Sequence, residues 1–247
     1  MRRLIALLAL VLLTGARDPI LVPEVSQHEV QVRQGFTGTE LLLFGAILTP
    51  DGTRAGRDYD IVVVLKGPTQ SIVVREKQKV VGIWINADSA GFRSAPSYYA
   101  VASSRPIRQI VDEKTAAIYE FGLRNIQLSP IGAIDPAQQS RFAAGLAALK
   151  SQQGLYQQAE GGVKISEQVL YQARITLPSS VPTGTYTAET FAVSQGWVVA
   201  SATSRIEVRK IGFEGAIARF AQDNSFSYGL LAVALSVLMG WLAGRLF

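Results

Sequence analysis

The chain has 247 residues, 48% of them hydrophobic, a formal net charge of +5, no cysteine and one histidine. Without cysteine there are no disulfides, no thiolate catalysis and no cysteine-ligated metals; a serine–histidine–acid triad or a multi-histidine zinc site would rest on His28 alone. The charge is small, and no basic stripe with interleaved aromatics is present, so a nucleic-acid partner is not expected.

Met1 to Ala16 carries two arginines, the apolar run Leu4 to Leu13 and then Thr14-Gly15-Ala16. This order reads as a secretory signal peptide over 1–16. Residues 17–210 then read as one exported domain, dominated at first by short strands: 29–34, 40–48, 60–66, 71–76, 80–86 and 97–103. Turn chemistry separates them at Gln34-Gly35, Pro50-Asp51-Gly52, Gly67-Pro68 and Ala90-Gly91. His28 sits in an alternating stretch beside polar neighbours, as an exposed strand residue does.

Between about 106 and 161 the pattern turns helical. One helix is expected over Thr115 to Leu123. A second starts at Asp135-Pro136, with the acid as cap and proline at the first helical position, and places Phe142, Leu146 and Leu149 on one face. Strands return over 170–177, 185–194 and 197–208, with Gln195-Gly196 as a hairpin turn. The approach Leu177 to Tyr186, rich in proline and glycine, predicts a corner tied by the Tyr186 hydroxyl. The fold class is therefore mainly β: an antiparallel, immunoglobulin-like β-sandwich with a helical insertion, followed by one transmembrane helix.

Phe213, Ile217 and Phe220 share a helical face, which predicts a juxtamembrane amphipathic helix over 211–225 or the first turns of a longer one. Residues 226–247 are apolar up to Arg245 and reach about 33 Å as a helix, enough to cross a hydrocarbon core of about 30 Å. An export signal followed by a stop-transfer helix places the domain outside and the C-terminus in the cytoplasm.

Two groups of residues stand out as contact candidates. In the span, Ala232, Ser236, Gly240 and Gly244 recur every fourth residue, the spacing at which another helix can approach closely. In the domain, Trp84, Asn86, Asp88, Phe92, Arg93, Tyr98 and Tyr99 read as a polar loop flanked by aromatic anchors. Asn86, Asp88 and Gly91 echo a calcium loop, but Ser97 stands where the bidentate glutamate belongs, so no metal and no cofactor is expected.

The segments Gln34 to Gly45, Val63 to Pro68 and Gly82 to Asn86 running into Tyr98-Tyr99, in this order of parts, resemble the alphaproteobacterial transmembrane protein family Alph_Pro_TM. The resemblance implies a single-pass protein of the bacterial inner membrane with a periplasmic domain, carries over no catalytic or binding residue, and points to a sulfite-exporter-like permease as a partner. The expected function is that of a non-enzymatic periplasmic accessory or interaction protein, anchored in the lipid bilayer and associating with an integral membrane protein such as a transporter, or with a second copy of itself. An anchored module binding a sugar, peptide or small anion is the alternative, and a carboxylate-dependent hydrolase the third.

Overall fold

A computed structural model describes residues 19–33, 35–48, 59–167, 169–212, 217 and 220–246. The expected signal peptide and residues 49–58, with the Pro50-Asp51-Gly52 turn, lie outside the described residues. The chain is mainly β. One sheet has the order β1 (Ile20–Val25), β3 (Gly38–Leu48), β10 (Leu170–Pro178), β9 (Val163–Ser166), antiparallel throughout. A second has six strands: β2 (Glu29–Val32), β12 (Trp197–Lys210), β11 (Gly184–Ser194), β4 (Asp60–Lys66), β7 (Tyr99–Ser103) and β8 (Tyr156–Glu160). Its interior pairs are antiparallel, but β2 with β12 and β7 with β8 are parallel. A parallel pair needs a long crossover, and the helical segment between β7 and β8 supplies one.

The core lies between the two sheets. From the first come Leu41, Leu43, Ile47, Tyr171, Ala173, Ile175 and Leu177; from the second Ile61, Val63, Leu65, Tyr186, Ala188, Ile206 and Val208, all buried. Fully burying a side chain of this size contributes about 1.5–3 kcal/mol. The corner before β11 forms as its residues predict: the Tyr186 hydroxyl donates to the Pro182 carbonyl at 2.7 Å.

The run Ile61 to Leu65 is buried without alternation, which requires cover on both faces of β4. The outer face is covered by helix α1 (Ile107–Ile110), helix α2 (Glu113–Ile118) and a 3-10 turn at Leu123–Asn125. Tyr119 and Phe121 from this segment stack against each other and meet Phe191 of β11 edge-on. The predicted helix over Thr115 to Leu123 is thus displaced: it ends at Ile118, which is exposed, because Glu120 and Gly122 take positive φ and turn Phe121 inward. Lys66 of β4 clamps the cover, pairing with Glu120 and, at 3.2 Å, with Glu189. Burial works against its charge, but hydrogen bonds and attraction from both carboxylates outweigh that and hold its pKa above the ordinary lysine value.

Helix α3 (Pro136–Gln152) starts as expected, Asp135 accepting from the amides of Ala137 and Gln138. It meets the sandwich only at an edge, packing on β8 and placing Ala147 against the main core. It also packs on a separate two-stranded hairpin, β5 (Thr69–Val80) with β6 (Ile83–Pro96), through a small cluster of Phe142 and Leu146 with Val74, Ala90, Phe92 and Ala95. Leu149, expected on that face, is exposed and Lys150 is buried in its place. The buried row follows the i, i+4, i+8 ridge of 142, 146 and 150. Burial pushes the Lys150 ammonium below the usual lysine pKa.

Residues Phe220 to Asp223 are helical and join α4 (Ser225–Leu246) through backbone bonds from Asn224 to Phe220 and from Tyr228 to Asn224. Helix therefore extends ahead of the span. Of the amphipathic face proposed for 211–225, Phe213 lies outside the described residues, and Ile217 and Phe220 are exposed.

Candidate functional site

The seven domain residues grouped by sequence do not form a loop. Trp84 to Pro96 is strand β6, and Ala90-Gly91, expected as a turn, lies inside it. Gly91 eases a close approach there: a Cβ would stand 3.1 Å from the side chain of Ile131, whose amide donates to the Gly91 carbonyl, as residues 129–131 run along the strand. The true turn is Val81-Gly82, with φ of 50° and 84°.

The hairpin distributes the seven residues along its length. Tyr98 and Tyr99, at its root, are fully buried and act as ties in opposite directions. The Tyr98 hydroxyl donates to the Thr176 carbonyl of β10 at 2.9 Å, while the Tyr99 hydroxyl donates to the Glu120 carbonyl and accepts from the Gly122 amide. Burial, foremost, drives both phenol pKa values up. Phe92 is buried in the small cluster under α3. Arg93 is exposed, its amide bonded to the Ser129 carbonyl. Asp88 is held by α3, accepting from Gln138 Nε2 and Arg141 Nη2, each at 2.8 Å, with Arg141 also reaching Glu76 at 3.3 Å. A carboxylate tied in this way braces the hairpin against the helix. Of the seven, only Trp84 and Asn86 stand beyond that brace, and both are exposed. No group of three or more metal-binding side chains occurs among the described residues.

A second feature has no counterpart in the sequence reading. Between α1, α2, the 3-10 turn and β8 lies a groove of about 580 Å³ with Ile107, Val111, Ala116 and Phe121 in its wall. Arg108, Arg124, Asn125, Asp112, Glu113 and Glu160 rim it. Gln158 is engaged, accepting from the Leu123 amide at 3.1 Å and donating to Glu160 at 3.0 Å. Asp112 caps α2; hydrogen bonds from Thr115 hold its carboxyl below the usual aspartate pKa. Most of the lining comes from residues 107–125, which carry no recognisable binding motif, and β8 adds Gln158 and Glu160 across the groove.

Helix α4 is long and apolar enough to cross a membrane, and none of it is buried by the rest of the chain. Ser236 is satisfied within the helix, donating to the Ala232 carbonyl at 2.9 Å, so its hydroxyl does not oppose placement in lipid. At Gly240 and Gly244 a Cβ would meet nothing within 4 Å. Arg245 lies over the Trp241 ring, 5.5 Å from its centroid, a pairing suited to a membrane interface.

Among the described residues, a β-rich domain is followed by one apolar helix of spanning length, the plan of a single-pass membrane protein. The chain belongs to the family described as "Putative transmembrane protein (Alph_Pro_TM)", whose sequence model matches residues 20–247. That span takes in the sandwich, the helical crossover, the hairpin and the terminal helix. No curated protein matches the chain.

Proposed function

We propose that the protein is a non-enzymatic accessory subunit of the bacterial inner membrane, with its β domain in the periplasm and its C-terminus in the cytoplasm, acting by association with an integral membrane partner. A transporter such as a sulfite-exporter-like permease fits this role, and a second copy of the chain would use the same surface. The observation that carries the reading is the unpartnered small-residue face of α4: Ala232, Ser236, Gly240 and Gly244 recur along one side with open space at both glycines. In lipid, helices associate by close packing rather than by hydrophobic burial, and such a face permits it.

The test is affinity purification of the full-length protein from its own membrane in mild detergent, beside the Gly240→Leu/Gly244→Leu variant. A specific membrane protein, or a second copy, is expected with the wild type and absent from the variant, while domain melting is unchanged. Equal recovery from both would defeat the helix-contact reading.

The groove supports a second reading, an anchored module for a sugar, peptide or small anion. Arg108 and Arg124 beside an apolar wall would meet a polar or anionic ligand. Ligand at about a hundredfold its Kd stabilises by about 2.7 kcal/mol. A panel of sugars, peptides and anions should therefore raise the melting temperature of the detergent-solubilised protein, and Arg108→Ala/Arg124→Ala should abolish the rise. A flat response across the panel would remove this reading. A carboxylate-dependent hydrolase would draw on the same rim, but Asp112 is committed to its helix cap, and a general acid needs a raised pKa rather than a lowered one.

A further inference from the structure

Residues 77–87, the outer third of the β5–β6 hairpin, are all exposed, and a register shift between Glu76 and Lys77 separates them from the part braced by α3. Yet this free end carries Val80, Val81, Ile83, Trp84 and Ile85, with Val81, Ile83 and Trp84 exposed at 97%, 69% and 66%. Cross-strand pairing sorts the faces: Val80 opposite Ile83 and Gln78 opposite Ile85 on one, Lys79 opposite Trp84 and Lys77 opposite Asn86 on the other. The result is an apolar face backed by two lysines and a tryptophan.

The turn residue sharpens the point. Val81 has φ of 50°, a region a β-branched side chain rarely adopts and one that asparagine or glycine fills at less strain. The hairpin between β11 and β12 takes the same geometry at Gln195-Gly196, with a polar residue in that place. A strained, fully exposed valine gains nothing from its own chain, so its gain has to come from what it meets.

Sheet register shows from which end of the sandwich the hairpin springs. Val208 near the end of β12 pairs with Gly184, Thr187 of β11 pairs with Lys66 at the end of β4, and Lys66 pairs with Tyr99 at the start of β7. The hairpin runs from Lys66 to Tyr99, so it springs from the end of the sandwich at which the chain leaves for α4. Its strands, at about 3.3 Å per residue, are roughly 40 Å long. Residues 211–219 extend to at most about 30 Å, with the helical residues 220–224 adding several more. The tether is thus no longer than the hairpin.

We propose that the β5–β6 tip is a membrane-surface wedge: Val80, Val81, Ile83, Trp84 and Ile85 enter the headgroup–acyl boundary of the leaflet facing the domain, while Lys77 and Lys79 meet anionic lipid phosphates. Apolar residues with an interfacial tryptophan and flanking lysines are the composition that such insertion uses. A contact at the membrane surface in addition to α4 would fix the height and tilt of the domain.

The test uses full-length protein carrying Trp197→Phe and Trp241→Phe, which leaves Trp84 as the sole tryptophan. It is reconstituted in vesicles of phosphatidylcholine with phosphatidylglycerol, with and without lipids brominated near the headgroup. Trp84 emission should shift to shorter wavelength and be quenched severalfold by the brominated lipid. Val81→Asp should restore water-like, unquenched emission with domain melting unchanged, since 77–87 support no core. Lys77→Gln/Lys79→Gln should reduce quenching where phosphatidylglycerol is present and make it insensitive to salt. Water-like, unquenched emission in wild-type vesicles would overturn the proposal, as would quenching that survives Val81→Asp. A blue shift that appears in native membranes but not in pure lipid would also overturn it, assigning the tip to a protein partner.

Discussion

Gly45→Ala is expected to destabilise the domain by about 3 kcal/mol or more, the range of severe overpacking in a core. Gly45 lies in β3 between two hydrogen-bonded neighbours, opposite Pro23 of β1 and Tyr171 of β10. A Cβ there would stand 2.2 Å from the Val22 carbonyl oxygen and 2.6 Å from the Tyr171 hydroxyl. Neither can yield cheaply: the first is backbone of a paired strand, and the second belongs to a ring that is almost entirely buried. Relief would require β1 or β10 to leave the sheet. For a chain of this size each kcal/mol moves Tm by about 2–4 °C, so thermal unfolding followed by circular dichroism should show a fall of roughly 6 °C or more. Gly145→Ala is the control, because its Cβ would enter open space on α3 and alanine favours the helix. Equal melting of the two variants would mean that β1 is not held in the register described.

What the sequence made legible follows from how local each signal is. The strand Asp60 to Lys66, the Asp135-Pro136 helix start and the Tyr186 corner each depend on residues a few positions apart, and each forms where its residues indicate. The hairpin turn was hidden because Val81 is among the poorest residues for positive φ, while Ala90-Gly91 carries turn composition but serves strand packing. Aromatic anchors could not be told from core residues by type: Trp84 ends at the free tip, whereas Phe92, Tyr98 and Tyr99 are buried, and the difference lies in where the hairpin leaves the support of α3. Leu149 and Lys150 exchanged roles for a related reason. Helix α3 packs on a narrow two-stranded ribbon and on the edge strand β8, and its buried row is one ridge of the helix rather than a broad stripe. The groove was invisible altogether, since residues 107–125 read as ordinary short helices and become one side of a groove only when the crossover sets them against Gln158 and Glu160 of β8.

Leu146→Ala is expected to cost about 2–4 kcal/mol, but only in one part of the molecule. Leu146 belongs to the small cluster with Phe142, Val74, Ala90, Phe92 and Ala95, which is separate from the large core between the sheets. The remaining ties between α3 and the hairpin are the Asp88 contacts with Gln138 and Arg141 and the Arg141–Glu76 pair, which are partly exposed and individually worth about 1 kcal/mol or less. Removing the leucine should therefore open α3 and the base of the hairpin as a unit. Hydrogen exchange is the measurement: amides of 69–76, 88–96 and 136–152 should lose protection while those of β3, β10 and β11 keep theirs. Uniform loss across both clusters would show that hairpin and sandwich unfold together. Separate opening would mean that the direction of the exposed tip is set by this small cluster, so that Leu146→Ala should also weaken any contact the tip makes, even though Leu146 lies far back along the hairpin from Trp84 and shares no contact with it.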